Sequence, residues 1–211
     1  FYAYAVSEYS QQLMRPYVEK YFKELGVLMN PVQFDGEENV DVSKNQKYIY
    51  IGRLSEEKGI EDFCNVISDL NLEGIVLGDG GLMKKLKHQY PEIDFKGWVQ
   101  GKDKLQFVKQ AKCLILPSRV RETFGLVVPE MLGMGIPCIV PSQCGATYLI
   151  KEGYNGYVFE MGNYESLKNC VLKLENSNIS KISQYKNQSD IRSMFSFERY
   201  IANLTSIIDD Y

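Results

Sequence analysis

The sequence predicts an α/β fold: a mainly parallel sheet of about six strands with helices on both faces. Three observations carry this. From about residue 47 to residue 174, short apolar, β-branched or aromatic runs alternate with segments of helical period. No two-residue hairpin signal joins one run directly to the next, so the connections are βαβ crossovers. One run, Cys113-Leu114-Ile115-Leu116-Pro117, is apolar throughout and suits a strand buried on both faces.

Each element follows from its residues. Lys47 to Gly52 alternates Tyr and Ile and ends in Gly, a strand. From Lys58 to about Leu70, Ile60, Phe63, Val66, Ile67 and Leu70 recur at helical spacing. Glu73 to Gly78 reads as the second strand, and Leu82 to Tyr90 as a basic helix halted near Pro91. Ile93 to Gly97 is the third strand; Asp103 to Gln110 follows as a helix, with Asp103 as cap or first-turn acid. After the run at 113–117 come a helix over Val127 to Met134 and a strand over Ile136 to Val140. A short helix near Ala146 to Lys151 and a strand over Gly156 to Phe159 complete the pattern, and Asn163 caps a helix to about Leu174. Ligands of such sheets bind beyond the carboxyl ends of the strands. The loops after Ile51, Leu77, Phe95, Leu116 and Val140 therefore form one rim.

The flanks read differently. Residues 1–40 hold a short strand, a helix over Glu8 to Leu25 and an extended stretch from Val27 to Phe34, before a polar, linker-like stretch from Gly36 to Lys44. Residues 175–193 are rich in Asn, Ser, Gln and Lys and read as a connector. Ser196 to Ile208 forms a terminal amphipathic helix. This divides the chain into 1–40, 41–175 and 176–211.

Composition narrows the function classes. At 211 residues, 45% hydrophobic and 24% charged, the chain is an ordinary globule rather than a disordered or low-complexity one. A net charge of −3 argues against broad nucleic-acid binding. Cys64, Cys113, Cys138, Cys144 and Cys170 show no metal-type spacing, and the lone His88 is remote in sequence, so no metal site and reduced thiols are expected. Sequons at Asn178, Asn187 and Asn203 then read as chance matches. The longest weakly charged run, Gly125 to Val140, is too short and too interrupted to span a bilayer. The opening residues resemble no signal peptide, and without an initiating Met the chain reads as an excised piece.

Three loops on the rim could carry chemistry. Gly52-Arg53-Leu54-Ser55-Glu56-Glu57-Lys58-Gly59 leads from a strand into a helix. Its glycines admit a close ligand, its helix start offers N–H groups, and Arg53 and Lys58 suit a diphosphate. By itself the segment more often describes a solvated loop with two surface charges, since short Gly-Arg and Lys-Gly patterns are common. Gly78-Asp79-Gly80-Gly81 allows a tight turn near a ligand or an ordinary connection needing positive φ. The third loop, Pro117 to Glu130, places Glu122 after a strand, Gly125 at a point of backbone approach, and Glu130 in the next helix. The eight positions between the two carboxylates span about 12 Å if they rise as a helix, a spacing for gripping two ends of one ligand rather than one atom. Glu130 alone could also be a helix-dipole carboxylate.

Taken in order, these segments resemble the donor-binding half of a family-four retaining glycosyltransferase of the GT-B type, with a Rossmann-like fold. The resemblance rests on Gly52-Arg53 with Lys58-Gly59, Gly78-Asp79-Gly80-Gly81, Phe95-Lys96-Gly97 and Leu116-Pro117-Ser118. It continues through Glu122-Thr123-Phe124-Gly125 with Glu130, Gly135-Ile136-Pro137, Gly153 and Asn155-Gly156, covering roughly residues 46–175. It implies that Arg53 and Lys58 bind the donor diphosphate, Glu122 contacts the transferred sugar, and Glu130 binds the ribose hydroxyls. Gly52 and the backbone at Thr123, Phe124, Gly125 and Leu126 line the sugar and phosphate pocket, and the backbone near Val99 contacts the nucleobase. It further implies a nucleotide-sugar substrate with UDP or GDP, no cofactor and no metal. The acceptor would be a glycan or lipid-linked molecule engaged by a missing N-terminal half, with no nucleic-acid partner. Localisation would be cytoplasmic, with peripheral contact of the full-length enzyme at the inner face of a membrane, in polysaccharide, lipopolysaccharide or glycolipid assembly.

One stretch departs from the family pattern. Cys144-Gly145-Ala146-Thr147-Tyr148 lacks one expected Gly and a later Glu, which bears on the sugar contact. A non-catalytic nucleotide-sugar-binding protein and a nucleotide-sugar epimerase share the fold. The first would lose a key carboxylate, and the second needs acid and base groups that the single His88 hardly supplies.

Overall fold

A computed structural model describes residues 2–34, 40–177 and 188–209. The polar stretch expected from Gly36 lies partly outside these, as do the middle of the 175–193 connector and two of the three sequons, Asn178 and Asn187.

Eight strands and eight α-helices are described. They are β1 (Tyr2–Ala5), α1 (Glu8–Val18), β2 (Glu24–Val27), β3 (Lys47–Ile51), α2 (Ile60–Asp69), β4 (Glu73–Leu77), α3 (Met83–Gln89) and β5 (Asp94–Gly97). There follow α4 (Gly101–Val108), β6 (Ala111–Ile115), α5 (Val127–Leu132), β7 (Cys138–Pro141), β8 (Gly156–Phe159), α6 (Tyr164–Glu175), α7 (Gln188–Met194) and α8 (Phe197–Asp209). Strands β3 to β8 form one six-stranded sheet in the order β5-β4-β3-β6-β7-β8, parallel at every pairing. The expected α/β, Rossmann-like architecture is thus what the chain adopts. The chain enters at β3, builds outward to β5, then returns to the other side of β3 for β6. That reversal makes the gap between the carboxyl ends of β3 and β6 the topological switch point, where open parallel sheets bind their ligands.

Side chains alternate across the sheet. Tyr48, Tyr50, Val76, Cys113, Ile115 and Ile139 join a core with Phe63, Ile67, Leu86, Leu167 and Val171 from α2, α3 and α6. Ile49, Ile75, Leu77, Leu114, Cys138 and Val140 join the opposite core with Val108, Val128, Met131 and Ile191 from α4, α5 and α7. Period-two alternation with both faces apolar is what a sheet covered by helices on each side demands.

Several boundaries differ from expectation. The β6 strand is Ala111–Ile115 rather than 113–117, because Lys112 belongs to it: its Nζ meets Glu175 Oε1 and Oε2 at 2.7 and 2.9 Å in a largely buried pair. The expected helix over Glu8 to Leu25 stops at Val18, and Glu24–Val27 becomes a strand paired in parallel with Tyr2–Ala5. That pairing is tertiary and overrides the local pattern; Gln11 Nε2 fixes it by donating to the Leu25 carbonyl at 2.5 Å. The region of the expected helix at 146–151 holds only a short 3-10 turn, Thr147–Leu149. Asp103 is a first-turn acid, not the cap, which is Gln100. The connector contains a helix, α7, whose Ile191 is buried.

Candidate functional site

Three loops meet above the switch point, and backbone contacts lock them. The loop after β3 runs through a 3-10 turn, Glu56–Lys58, into α2. Gly59 sits at φ 66°, where a Cβ would lie 1.9 Å from the Pro117 carbonyl oxygen. Only a residue without a Cβ permits this approach of the β3 and β6 loops. Arg119 N–H then donates to the Glu57 carbonyl at 3.0 Å, and the Arg119 guanidinium grips Asp62 through two bonds of 2.6 and 2.8 Å. The β4 loop stacks on the β3 loop in the same way: a Cβ on Gly78 would meet the Gly52 carbonyl oxygen at 1.8 Å. Here the glycines of Gly78-Asp79-Gly80-Gly81 serve loop-to-loop packing.

Across the switch point, Lys58 Nζ meets Glu122 Oε1 at 2.7 Å. The buried Ser118 hydroxyl donates to the same carboxylate oxygen. The Glu122 backbone is pinned as well, by Glu122 N–H to the Gln143 carbonyl at 3.0 Å and Gly145 N–H to the Glu122 carbonyl at 2.9 Å. The atypical stretch from Cys144 therefore braces the Glu122 loop. The Cys144 thiol donates to the Phe124 carbonyl at 3.1 Å, and burial pushes its pKa up to about 12, which makes it a structural donor rather than a nucleophile.

A cavity of about 650 Å³ is walled by Gly52, Gly78, Trp98, Val99, Gln100, Gly101, Leu126 and Glu130 and closed on one side by Pro31, Val32 and Gln33; Lys58 and Glu122 are not among its lining residues. Lys104 reaches into it and pairs with Glu130; the two side chains are only 19% and 14% exposed. Trp98, the chain's single tryptophan, stands 70% exposed at the lip.

The wall at residues 31–33 is held by the chain's own C-terminal segment. Val32 N–H donates to the Phe195 carbonyl at 2.9 Å, and the Phe195 ring packs edge-on against Phe124 with centroids 5.4 Å apart. Phe195 is buried, whereas Phe197, at the start of the terminal helix, is exposed. From the N-terminal side, Ser7, the N-cap of α1, donates its hydroxyl to the Thr123 carbonyl.

Of the residues singled out in the sequence, the structure joins Lys58 to Glu122 and sets Gly52, Val99, Leu126 and Glu130 around one cavity. Arg53 adjoins Gly52, is exposed, and has no side-chain partner among the described residues. Thr123 is exposed, and the Phe124 ring is buried, which leaves backbone to face the site there. The 12 Å helical estimate between the two carboxylates does not apply, because Glu122 lies in a loop and helix begins only at Val127. His88 is exposed on α3 and takes no part in the cavity. Lys104 and Trp98 were not singled out, and Ser118 entered only within the Leu116-Pro117-Ser118 match, with no role of its own. Lys104 reads as one of several charges on a polar helix, and only tertiary placement distinguishes it. Among the described residues no group of His, Cys, Asp and Glu could hold a metal ion, and no helix is long and apolar enough to cross a membrane.

The chain is similar to known proteins. Residues 33–191 match the family described as glycosyl transferases group 1. An uncharacterized glycosyltransferase of Methanocaldococcus jannaschii is 25% identical over 167 residues, covering 77% of this chain and 47% of that protein. A GDP-mannose-dependent alpha-mannosyltransferase of Corynebacterium glutamicum is 28% identical over 116 residues, 55% of this chain and 28% of its own length. The chain thus spans half or less of these relatives. Among solved structures, HepE of Anabaena in complex with UDP and glucose superposes with a TM-score of 0.81 at 18% identity, over 99% of this chain and 62% of that one. The WaaB lipopolysaccharide outer core galactosyltransferase gives a TM-score of 0.77 at 22% identity, over 99% and 62%. With the family matched from the cavity wall at Gln33 through the switch-point loops to α7, this chain belongs to the group 1 glycosyl transferases, of GT-B fold.

Proposed function

We propose that the chain is the donor-binding half of a retaining glycosyltransferase that uses a nucleotide-diphosphate sugar. The observation that carries the reading is the Lys58–Glu122 pair astride the switch point, joined to the loop whose Gly52 lines a cavity together with Glu130. Glu130 binds the ribose hydroxyls, the backbone near Val99 faces the base, and Gly52 admits the diphosphate. Arg53 and Lys58 neutralise that diphosphate, and Glu122 orients the sugar, with backbone from Thr123 to Leu126 around it. A carboxylate already held by Lys58 and Ser118 is preorganised for this, so little reorganisation is needed when the donor arrives.

In the transfer step, the bond from the anomeric carbon to the diphosphate oxygen breaks and a bond to the acceptor oxygen forms on the same face. The acceptor proton passes to the departing phosphate oxygen. Negative charge builds on the diphosphate, where Arg53 and Lys58 supply cationic charge without calling on a metal. Residues 1–40 in this reading are the tail of an acceptor half with the crossover, 41–175 the nucleotide-sugar domain, and 176–211 the connector and returning helix. The rest of the protein brings the glycan or lipid-linked acceptor, with peripheral membrane contact, and the 211-residue chain by itself binds donor without transferring sugar. Arg53→Ala and Lys58→Ala in the full-length protein should each cut transfer by about 10²-fold, as for other lost transition-state donors. Arg53 is the cleaner test, since its side chain has no partner among the described residues. Near-normal turnover in both variants would overturn the diphosphate role, and transfer by the 211-residue chain would overturn the two-half reading.

A further inference from the structure

We infer that Lys104 is a positioning residue of the nucleotide site, acting through Glu130; the inference rests on the ribose role of Glu130 given above. Lys104 lies on α4, after the edge strand β5, and Glu130 on α5, after the β6 loop. Their ion pair therefore bridges two elements on opposite sides of the switch point, and both residues line the same cavity. It differs from the surface pairs of this chain in burial: Lys85–Glu61 leaves its lysine 59% exposed, whereas Lys104 is 19% and Glu130 14% exposed. A pair removed from water is screened little and holds its geometry, unlike an exposed pair.

Two consequences follow for a ribonucleotide. A vicinal diol is read by a carboxylate only if the carboxylate keeps one orientation, and the Lys104 ammonium fixes it. An anionic diphosphate is also repelled by an uncompensated carboxylate in the same cavity, and Lys104 cancels that charge before the ligand arrives. The sequence gives no hint of this, because Lys104 stands between Asp103 and Leu105 as one of several polar residues of the helix, with Lys102 and Gln106 close by in sequence.

The test compares dissociation constants of UDP and GDP with those of their 2′-deoxy counterparts, by titration calorimetry on the purified chain. Wild type, K104M, K104R and E130Q are measured, with K104Q as a second truncation if K104M folds poorly. Wild type should bind the better ribonucleotide about tenfold more tightly than its deoxy form, the scale of a hydrogen bond to a charged group. K104M should weaken ribonucleotide binding about tenfold and bring the ratio toward one, K104R should restore most of the ratio, and K104M should add little in the E130Q background. A K104M chain that melts normally and keeps the wild-type ratio overturns the role of Lys104 alone. An E130Q chain that keeps the ratio, or a wild type that binds neither nucleotide at millimolar concentration, overturns the reading of the site itself.

Discussion

Replacing Gly145 by Ala tests how the Glu122 loop is held. A Cβ at this position would stand 2.3 Å from the Thr123 carbonyl oxygen, 2.9 Å from the Phe124 Cα and 2.9 Å from the Ser7 Oγ. Two of these are backbone atoms, so no side-chain rotation relieves the clash. Overpacking of this kind costs about 1–3 kcal/mol. The shift that relieves it also stretches the Gly145 N–H bond to the Glu122 carbonyl and the Ser7 hydroxyl bond to Thr123, each worth about 1 kcal/mol. Together these come to about 3–5 kcal/mol, a drop in Tm of roughly 6–20 °C for a chain of this size. Thermal melting followed by circular dichroism measures it, with Gly81→Ala as the control. Gly81 has no heavy atom within 4 Å of its would-be Cβ, so its substitution should stay within about 0.5 kcal/mol of wild type. Nucleotide affinity should fall for Gly145→Ala and not for Gly81→Ala. Equal Tm values for Gly145→Ala and wild type would refute the claim that the atypical 144–148 stretch braces the loop.

Other expectations concern the core. Glu175→Gln should destabilise the chain by about 2 kcal/mol, a discounted value because Glu175 is 29% exposed, while Lys112→Met should cost less. The first strands a buried ammonium at the amino end of β6 and the second leaves a carboxylate that water can reach; urea titration decides, and equal costs would contradict the asymmetry. Phe195→Ala should cost about 3–5 kcal/mol and weaken nucleotide binding, because the ring supports Phe124 and its backbone holds Val32; unchanged affinity in a chain that still folds would break that link. All five cysteines are buried, and burial raises the pKa of Cys64 and Cys144 to about 12. Thiols whose folded pKa lies above the unfolded value of about 8.5 favour the folded state fully below that pH and lose this contribution as pH rises toward 12. Stability to urea should therefore fall above pH 9, and iodoacetamide should label native protein only as fast as it opens; rapid labelling of Cys144 would contradict its burial.

Much of the fold is legible because β3 to β8 are local apolar runs whose period and flanking glycines need no tertiary information. What escapes is set by partners distant in sequence. Lys112 reads as a strand breaker until Glu175 is placed beside it. Glu24–Val27 reads as the end of a helix until Tyr2–Ala5 pairs with it. At the site, Glu122 and Lys58 stand out because each sits in a glycine-bearing loop after a strand. Lys104 does not, since a lysine on a polar helix is commonplace, and Ser118, though part of the Leu116-Pro117-Ser118 match, gives no sign in the sequence that its hydroxyl meets Glu122. The burial of Phe195 depends on a distant partner too, since Phe124 is contributed by a loop 71 residues earlier.

The most direct test of the central claim is ligand-observed NMR of the purified chain with UDP, GDP and ADP, repeated with Glu130→Ala. The account predicts that one nucleotide binds wild type and that the variant, still folded by its amide spectrum, loses that binding. Binding undiminished by Glu130→Ala, or no binding of any of the three at millimolar concentration, would contradict it.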